Sequence, residues 1–225
     1  MSHDTDPHAL PLARRSSLHP AAGAAWRWVS ERGVLLATGD ATLARYAALS
    51  SRHWPEVEDL VPADGTLLLI LRPGAAMSAA LRQALCADAT SPSGASGVLH
   101  PIRVEYGGVA GPDLDALAAR AGLSRDAYIN SHTAVEYRVA FLGFQPGFAY
   151  LQGLPAALHV PRRASPRVRV PAGSVAIGGV YCGIYPASGP GGWHLIGRAA
   201  VTVFDPLRPR PALLLPGDRV RFVAA

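Results

Sequence analysis

From Tyr137 to Val223, glycine and proline recur every few residues, so the chain there is cut into short runs too brief for ordinary helices. The runs between them are rich in Val, Ile, Leu, Phe and Tyr, which favour strands. Many short strands with dense turns point to a β-barrel or a β-sandwich. Just ahead, His100–Tyr106 alternates apolar and polar residues as a strand does. It is followed by two short helical patterns, Pro112–Ala121, with proline in its opening turn, and Ser124–His132. These helices are expected to pack outside the β structure or to plug one end of it.

The first part of the chain has a different texture. Residues 1–22 are rich in Pro, Ala and His without periodicity and read as a flexible tail. Within 23–90, strand-like runs at Trp26–Val29 and Val34–Ala37 flank the turn signal Glu31-Arg32-Gly33. Asp40 is placed to cap a helix running to about Ser51, with Leu43, Tyr46, Ala47 and Leu49 on its apolar face. A second strand pair, Val57–Val61 and Thr66–Leu71, precedes a second helix over about Ala76–Ala87, with Met77, Ala80, Leu81 and Leu85 inward. This repeated ββα pattern suggests a small α+β domain with an antiparallel sheet. The Ser/Gly-rich stretch 91–97 reads as a linker, leaving 98–225 as the second domain.

Charge narrows the chemistry. All 21 basic residues are arginine, so no Schiff base, phosphate-loop lysine or biotinyl lysine can arise on this chain. The pI near 9.7 would suit nucleic acid, but no recognition module accompanies it, and no nucleic-acid partner is expected. Cys86 and Cys182 are far apart and read as two buried thiols of a reducing cytosol, without a zinc or redox motif. The N-terminal stretch lacks an apolar core beside Arg14-Arg15, and the apolar run Leu67–Leu71 is too short to span a bilayer. A cytoplasmic location, away from membranes, is the expectation.

Between Glu136 and Asp205 no acidic residue occurs, while Arg138, Arg162, Arg163, Arg167, Arg169 and Arg198 do. A two-carboxylate mechanism or a carboxylate-bound Mg²⁺ has no residues to use within that segment, and no metal is expected. Its ligand should be small and anionic or neutral. The run Pro161–Pro171 holds four guanidinium groups, which can fork onto a carboxylate or phosphate or can form a solvated surface loop. Phe141–Leu151 reads as a strand entering a Pro-Gly turn, either a pocket wall or a core hairpin. The glycine-rich runs 171–179 and 188–193 would let backbone approach a ligand or pack strands closely, and neither has a nucleotide-binding spacing. Ser174 lacks the partners of a catalytic triad. His132, at a helix end near Glu136, is a weak acid–base candidate or an ordinary helix-terminal histidine.

Taken in order, Tyr106-Gly107-Gly108, Gly111-Pro112-Asp113-Leu114, Gly122-Leu123-Ser124, His132-Thr133 and Tyr137–Phe144 are followed by Pro146–Leu151 and Pro161-Arg162-Arg163. Then come Val170–Val175, Gly183–Pro186, Pro190–Trp193, Leu195–Arg198, Phe204-Asp205 and Pro216-Gly217-Asp218. This series resembles the family of 5-oxoprolinase B subunits, also labelled allophanate hydrolase subunit 1 or KipI-type, of the carboxyltransferase subdomain C/D kind. The resemblance is dense over about 98–223 and looser over 24–90. It implies an α+β, mainly β fold, with a cyclophilin-like β-barrel following a small α+β N-terminal domain. It also implies two partners, the A and C components of 5-oxoprolinase, the latter of the allophanate hydrolase subunit 2 family. With them, 5-oxo-L-proline is opened to L-glutamate as ATP is hydrolysed. ATP enters as a co-substrate, held mainly by the partner chains, and no covalently attached cofactor belongs to this chain.

On this resemblance the expected substrate-binding residues are Tyr137, Pro146, Gly147, Phe148, Tyr150, Arg162, Arg163, Arg167, Pro171, Gly173, Ser174, Tyr185, Gly191, Gly192, Trp193 and Arg198. The chain departs from the family pattern at Cys182, Gly189 and Ala199, where hydroxyl residues are usual, so three hydroxyls are expected to be missing around the pocket. Two other functions attach to family names: an inhibitor that binds a sensor histidine kinase, and half of a biotin-dependent urea-type carboxyltransferase or allophanate hydrolase system.

Overall fold

The protein is described by a computed structural model that places residues 26–87 and 97–225. The expected tail, 1–22, and nearly all of the expected linker lie outside the described residues. The chain forms two compact units.

The first unit is an antiparallel four-stranded sheet in the order β1-β2-β4-β3 with two helices. Its strands are β1 (Trp26–Trp28), β2 (Gly33–Ala37), β3 (Val57–Ala63) and β4 (Thr66–Leu71), and its helices α1 (Thr42–Ser50) and α2 (Ala79–Cys86). Although Thr66–Leu71 is apolar almost throughout, every second residue turns inward, and Leu67, Leu69 and Leu71 join Trp26, Val34, Leu36, Leu81 and Leu85 in one core.

Local details differ from expectation for visible reasons. Asp40 caps nothing: it lies in a 3-10 turn, Gly39–Ala41, and α1 begins only at Thr42. There the Thr42 hydroxyl donates to the Gly39 carbonyl at 2.9 Å, which holds the entry instead. Helix α2 starts three residues later than expected, because Ser78 is extended and its hydroxyl accepts from the Leu81 N–H at 3.1 Å. With Leu81 and Leu85 inward, Ala80 faces solvent. The same geometry exposes Cys86, so only Cys182 is a buried thiol.

The second unit is built on a closed barrel, in the order β10-β7-β6-β13-β5-β12-β9 with β9 paired to β10. Its strands are β5 (Leu99–Tyr106), β6 (Tyr137–Leu142), β7 (Ala149–Gln152), β9 (Ser174–Gly178), β10 (Tyr181–Ile184), β12 (His194–Ala199) and β13 (Arg219–Ala224). The pair β5–β13 is parallel, from Leu99↔Arg219 to Val104↔Ala224. Pro101 is tolerated in β5 because β12 pairs with β5 only from Val104 to Tyr106. A separate ribbon, β8 (Arg167–Val170) with β11 (Gly189–Gly191), makes part of the arginine-rich run a strand.

Helices α3 (Leu114–Arg120) and α4 (Arg125–Thr133) join the barrel core through Leu114, Leu117, Ala118, Tyr128 and His132. Strand β9 is buried at every residue because both its faces are covered. Val175 and Ile177 face the main core, while Ala176 faces a smaller cluster of Phe148, Val170, Tyr185, Trp193 and Leu195. That smaller cluster underlies the candidate site. Among the described residues, no helix is long and apolar enough to cross a membrane.

Candidate ligand site

A pocket of about 310 Å³ opens over the smaller cluster, lined by Phe144, Phe148, Tyr150, Arg162, Arg163, Pro166, Tyr185, Gly192 and Trp193. Its volume suits a small molecule. The aromatic rings meet edge to face: Phe148 lies 5.2 Å from Tyr185 and 5.3 Å from Trp193, and Tyr150 lies 5.5 Å from Trp193, with interplanar angles of 77–82°. Such contacts fix the rings and turn their faces and edges to the ligand space. Two glycines make the arrangement possible. A Cβ at Gly178 would stand 2.6 Å from the Trp193 indole, and one at Gly191 would stand 2.3 Å from the Tyr185 hydroxyl oxygen. Burial raises the Tyr185 and Tyr150 phenols above their ordinary range, with the Arg162 charge opposing part of the rise at Tyr150. Both therefore stay neutral at pH 7 and can donate to a ligand oxygen.

The arginine segment is ordered by a carboxylate from outside the acid-free stretch. Asp113, just before α3, accepts from Arg167 Nη2 at 2.7 Å, from Arg163 Nη1 at 3.4 Å and from the Leu195 N–H at 2.7 Å. Its side chain is only 13% exposed. Burial alone would raise this carboxyl, but the Arg167 and Leu195 hydrogen bonds and the two guanidinium charges outweigh it and hold it below the usual carboxylate range. Although Asp113 occupies the cap position of α3, its carboxylate makes no cap hydrogen bond. The Arg163 N–H also donates to the Gly192 carbonyl at 2.8 Å, tying the arginine run to the glycine-rich run across the pocket rim. Arg169 donates to the Ser188 hydroxyl at 3.1 Å. Arg162 lines the pocket with no side-chain hydrogen bond or ion pair among the described residues.

Of the residues expected from sequence, the pocket gathers Phe148, Tyr150, Arg162, Arg163, Tyr185, Gly192 and Trp193. Gly191 supports it from beneath Tyr185, and Arg167 acts at a remove through Asp113, with its Nη1 buried and unpartnered. Pro146 and Gly147 line a different surface, an open groove of about 700 Å³ shared with Phe204 and Pro209–Ala212. Pro171 and Gly173 form the turn before β9; there Gly173 donates its N–H to the Tyr185 carbonyl and accepts from the Ala199 N–H, each at 2.8 Å. Ser174 is buried in β9, and Arg198 is exposed on β12 opposite Glu105. Neither lines the pocket.

His132 and Glu136 are not brought together. His132 is fully buried in the barrel, hydrogen-bonded through Nδ1 to the Tyr106 hydroxyl at 2.8 Å and through Nε2 to Cys182 Sγ at 3.3 Å. The phenol is the stronger donor, so the neutral ring accepts at Nδ1 and donates from Nε2. Burial lowers the His132 pKa to about 3 and pushes the Cys182 thiol up, which leaves both groups uncharged. Tyr137, also expected at the site, donates its hydroxyl to the His132 carbonyl at 2.9 Å inside the same core. Glu136 instead accepts from Arg219 and Arg221 at 3.1 and 3.3 Å. The histidine is a satisfied core residue.

The three departures from the family pattern also fall away from the pocket wall. Cys182 is His132's partner in the core, Gly189 pairs with Val170 in the ribbon, and Ala199 packs beside the Gly173 turn. Three contributors were missed by sequence reading. Phe144, at φ 66°, and Pro166 stand in the runs read as a pocket wall or hairpin and as an anion clamp or surface loop, but neither was singled out there. Asp113 stands 50 residues from the first arginine it binds, and no spacing in the sequence links the two.

The sequence model of the carboxyltransferase domain, subdomain C and D, matches residues 18–214. The chain belongs to this family. Among curated proteins it is 59% identical to the 5-oxoprolinase B subunit of Escherichia coli O157:H7 and 50% identical to that of Haemophilus influenzae. Each match runs over 122 residues, or 54% of this chain and 56% and 57% of those proteins. The matched region thus spans about half the length of these relatives. The crystal structure of TTHA0988 is similar with a TM-score of 0.73 and 41% identity, over 86% of this chain and 40% of that one. The α+β, mainly β architecture read from the sequence is the one found.

Proposed function

We propose that the chain is the B component of an ATP-dependent 5-oxoprolinase and contributes part of a site shared with the C component. The observation that carries this reading is the pocket itself, in which a rigid aromatic wall stands beside a guanidinium, that of Arg162, with no partner among the described residues. A five-membered lactam with one carboxylate has the matching parts. Its ring would lie against Tyr150 and Trp193, its carboxylate on Arg162, and its amide oxygen within reach of a neutral phenol. The names of the 5-oxoprolinase relatives support the same substrate.

The lactam is stable, so it must be activated before water can open the ring, and transfer of a phosphoryl group from ATP to the amide oxygen is a suitable route. This chain would bind and orient the lactam. Among the described residues the pocket wall has no carboxylate to hold Mg²⁺, and Asp113 is already engaged by two arginines, so the ATP phosphates are better suited to a partner chain. Mixing the chain with the A and C components should give ADP and L-glutamate only when 5-oxo-L-proline is present. A correctly folded, complete assembly that shows no 5-oxoproline-dependent turnover would overturn the proposal.

A further inference from the structure

Four guanidinium groups crowd the run from Arg162 to Arg169, and a polyphosphate would be the obvious ligand for all of them together. The hydrogen bonds divide them differently. Arg163 and Arg167 converge on one carboxylate of their own chain, Asp113, with Arg167 engaged through Nη2 while its Nη1 stays buried. Arg163 also donates to the Ser165 carbonyl, and Arg169 turns to Ser188. Asp113 is further anchored by the Leu195 N–H, so it cannot swing away without breaking a contact to β12. Arg162 is the guanidinium in the pocket wall whose donors meet no partner among the described residues, and it stands beside the aromatic rings.

We propose that Asp113 is a positioning residue that withdraws Arg163 and Arg167 from ligand binding, so that Arg162 alone selects a single carboxylate on a small ring. This rests on the reading of the pocket as the lactam site and adds which residues set its charge preference. One planar fork matches one carboxylate in two parallel hydrogen bonds. A pyrophosphate needs several guanidinium groups, and two of those nearby already hold an internal anion that acts in its place.

Three probes separate these elements on the full chain, with Trp193 fluorescence as the signal of pocket occupancy. Cyclopentanecarboxylate carries ring and carboxylate without the lactam, 2-pyrrolidone carries the lactam without the carboxylate, and inorganic pyrophosphate carries neither. The wild-type chain should bind cyclopentanecarboxylate in preference to pyrophosphate. Arg162→Gln should weaken the carboxylate about tenfold or more, the worth of one charge-assisted hydrogen bond, and leave 2-pyrrolidone unchanged. Asp113→Asn keeps the shape but removes the charge, so pyrophosphate should bind about tenfold more tightly than to wild type, a gain that loss of structure cannot produce. Asp113→Glu should restore the original preference.

Pyrophosphate binding to wild type as tightly as the carboxylate, or an Arg162→Gln variant with unchanged carboxylate affinity, would overturn the proposal. Absence of saturable carboxylate binding would do so too. If Asp113→Asn does not fold, the Arg162 comparison still decides. Arg162-dependent carboxylate binding alongside a reconstituted assembly inert toward 5-oxoproline would sink the functional reading and leave this inference standing.

Discussion

One carboxylate, Asp113, joins the start of α3, the backbone of β12 and the arginine run, segments up to 82 residues apart. Asp113→Ala should therefore lower stability by about 2 kcal/mol, the usual range for losing hydrogen bonds to a charged group, as read by urea unfolding at pH 7. Because its folded pKa is depressed, this contribution is present above the unfolded carboxyl pKa of about 4 and is lost as pH falls through the lower folded value. The variant and wild type should converge in stability only under acid conditions. Gly178→Ala tests the aromatic floor. Its methyl would meet the Trp193 ring, so stability should fall by about 1–3 kcal/mol and the Trp193 emission should shift. At this scale the aromatic and glycine positions of the pocket were legible through the family resemblance, while residue types and spacing alone left them as pocket wall or core packing. The sequence concealed Asp113, because an acid is matched to its arginines by tertiary approach and not by spacing.

Helix ends were legible unevenly even where a serine supplied the cap, since α4 opens as expected at Ser124 but α2 opens three residues late at Ser78. Ser124 accepts from the Ala127 N–H at 3.1 Å and opens α4 where the sequence places it, whereas Asp40 failed because a threonine took over the entry to α1. Ser124→Ala should cost about 1 kcal/mol, visible as a lower melting temperature by circular dichroism. Ser78→Ala should cost a similar amount through α2. The arginine run shows the limit of element reading. Arg167–Val170 form a strand only because β11, about 20 residues later, supplies a partner. Strand pairing is a non-local contact, and no local propensity announces it.

The barrel buries a titratable group at its centre, which makes stability of the whole molecule depend on pH. His132 takes up a proton near pH 6.5 when unfolded but only near 3 when folded, so unfolded chains bind more protons across that window. Stability is then complete at neutral pH and falls as pH drops below about 6.5, by about 2 kcal/mol between pH 7 and pH 5. Urea unfolding across that interval should show the slope, and His132→Gln, which keeps a polar side chain but cannot titrate there, should flatten it. A wild-type slope equal to that of the variant would remove His132 as its source.

Periodicity, turn residues and charge inventory were sufficient to establish strand-rich architecture, a lysine-free chemistry and an acid-free arginine segment, because each is a property of residues taken in order. Tertiary structure alone decided that the barrel contains a parallel β5–β13 pair, that His132 is core and that Pro146 and Gly147 face another groove. It also decided which arginines Asp113 engages. These outcomes depend on which distant groups exclude water from one another and which donors find acceptors, and that accounting exists only once the chain has closed.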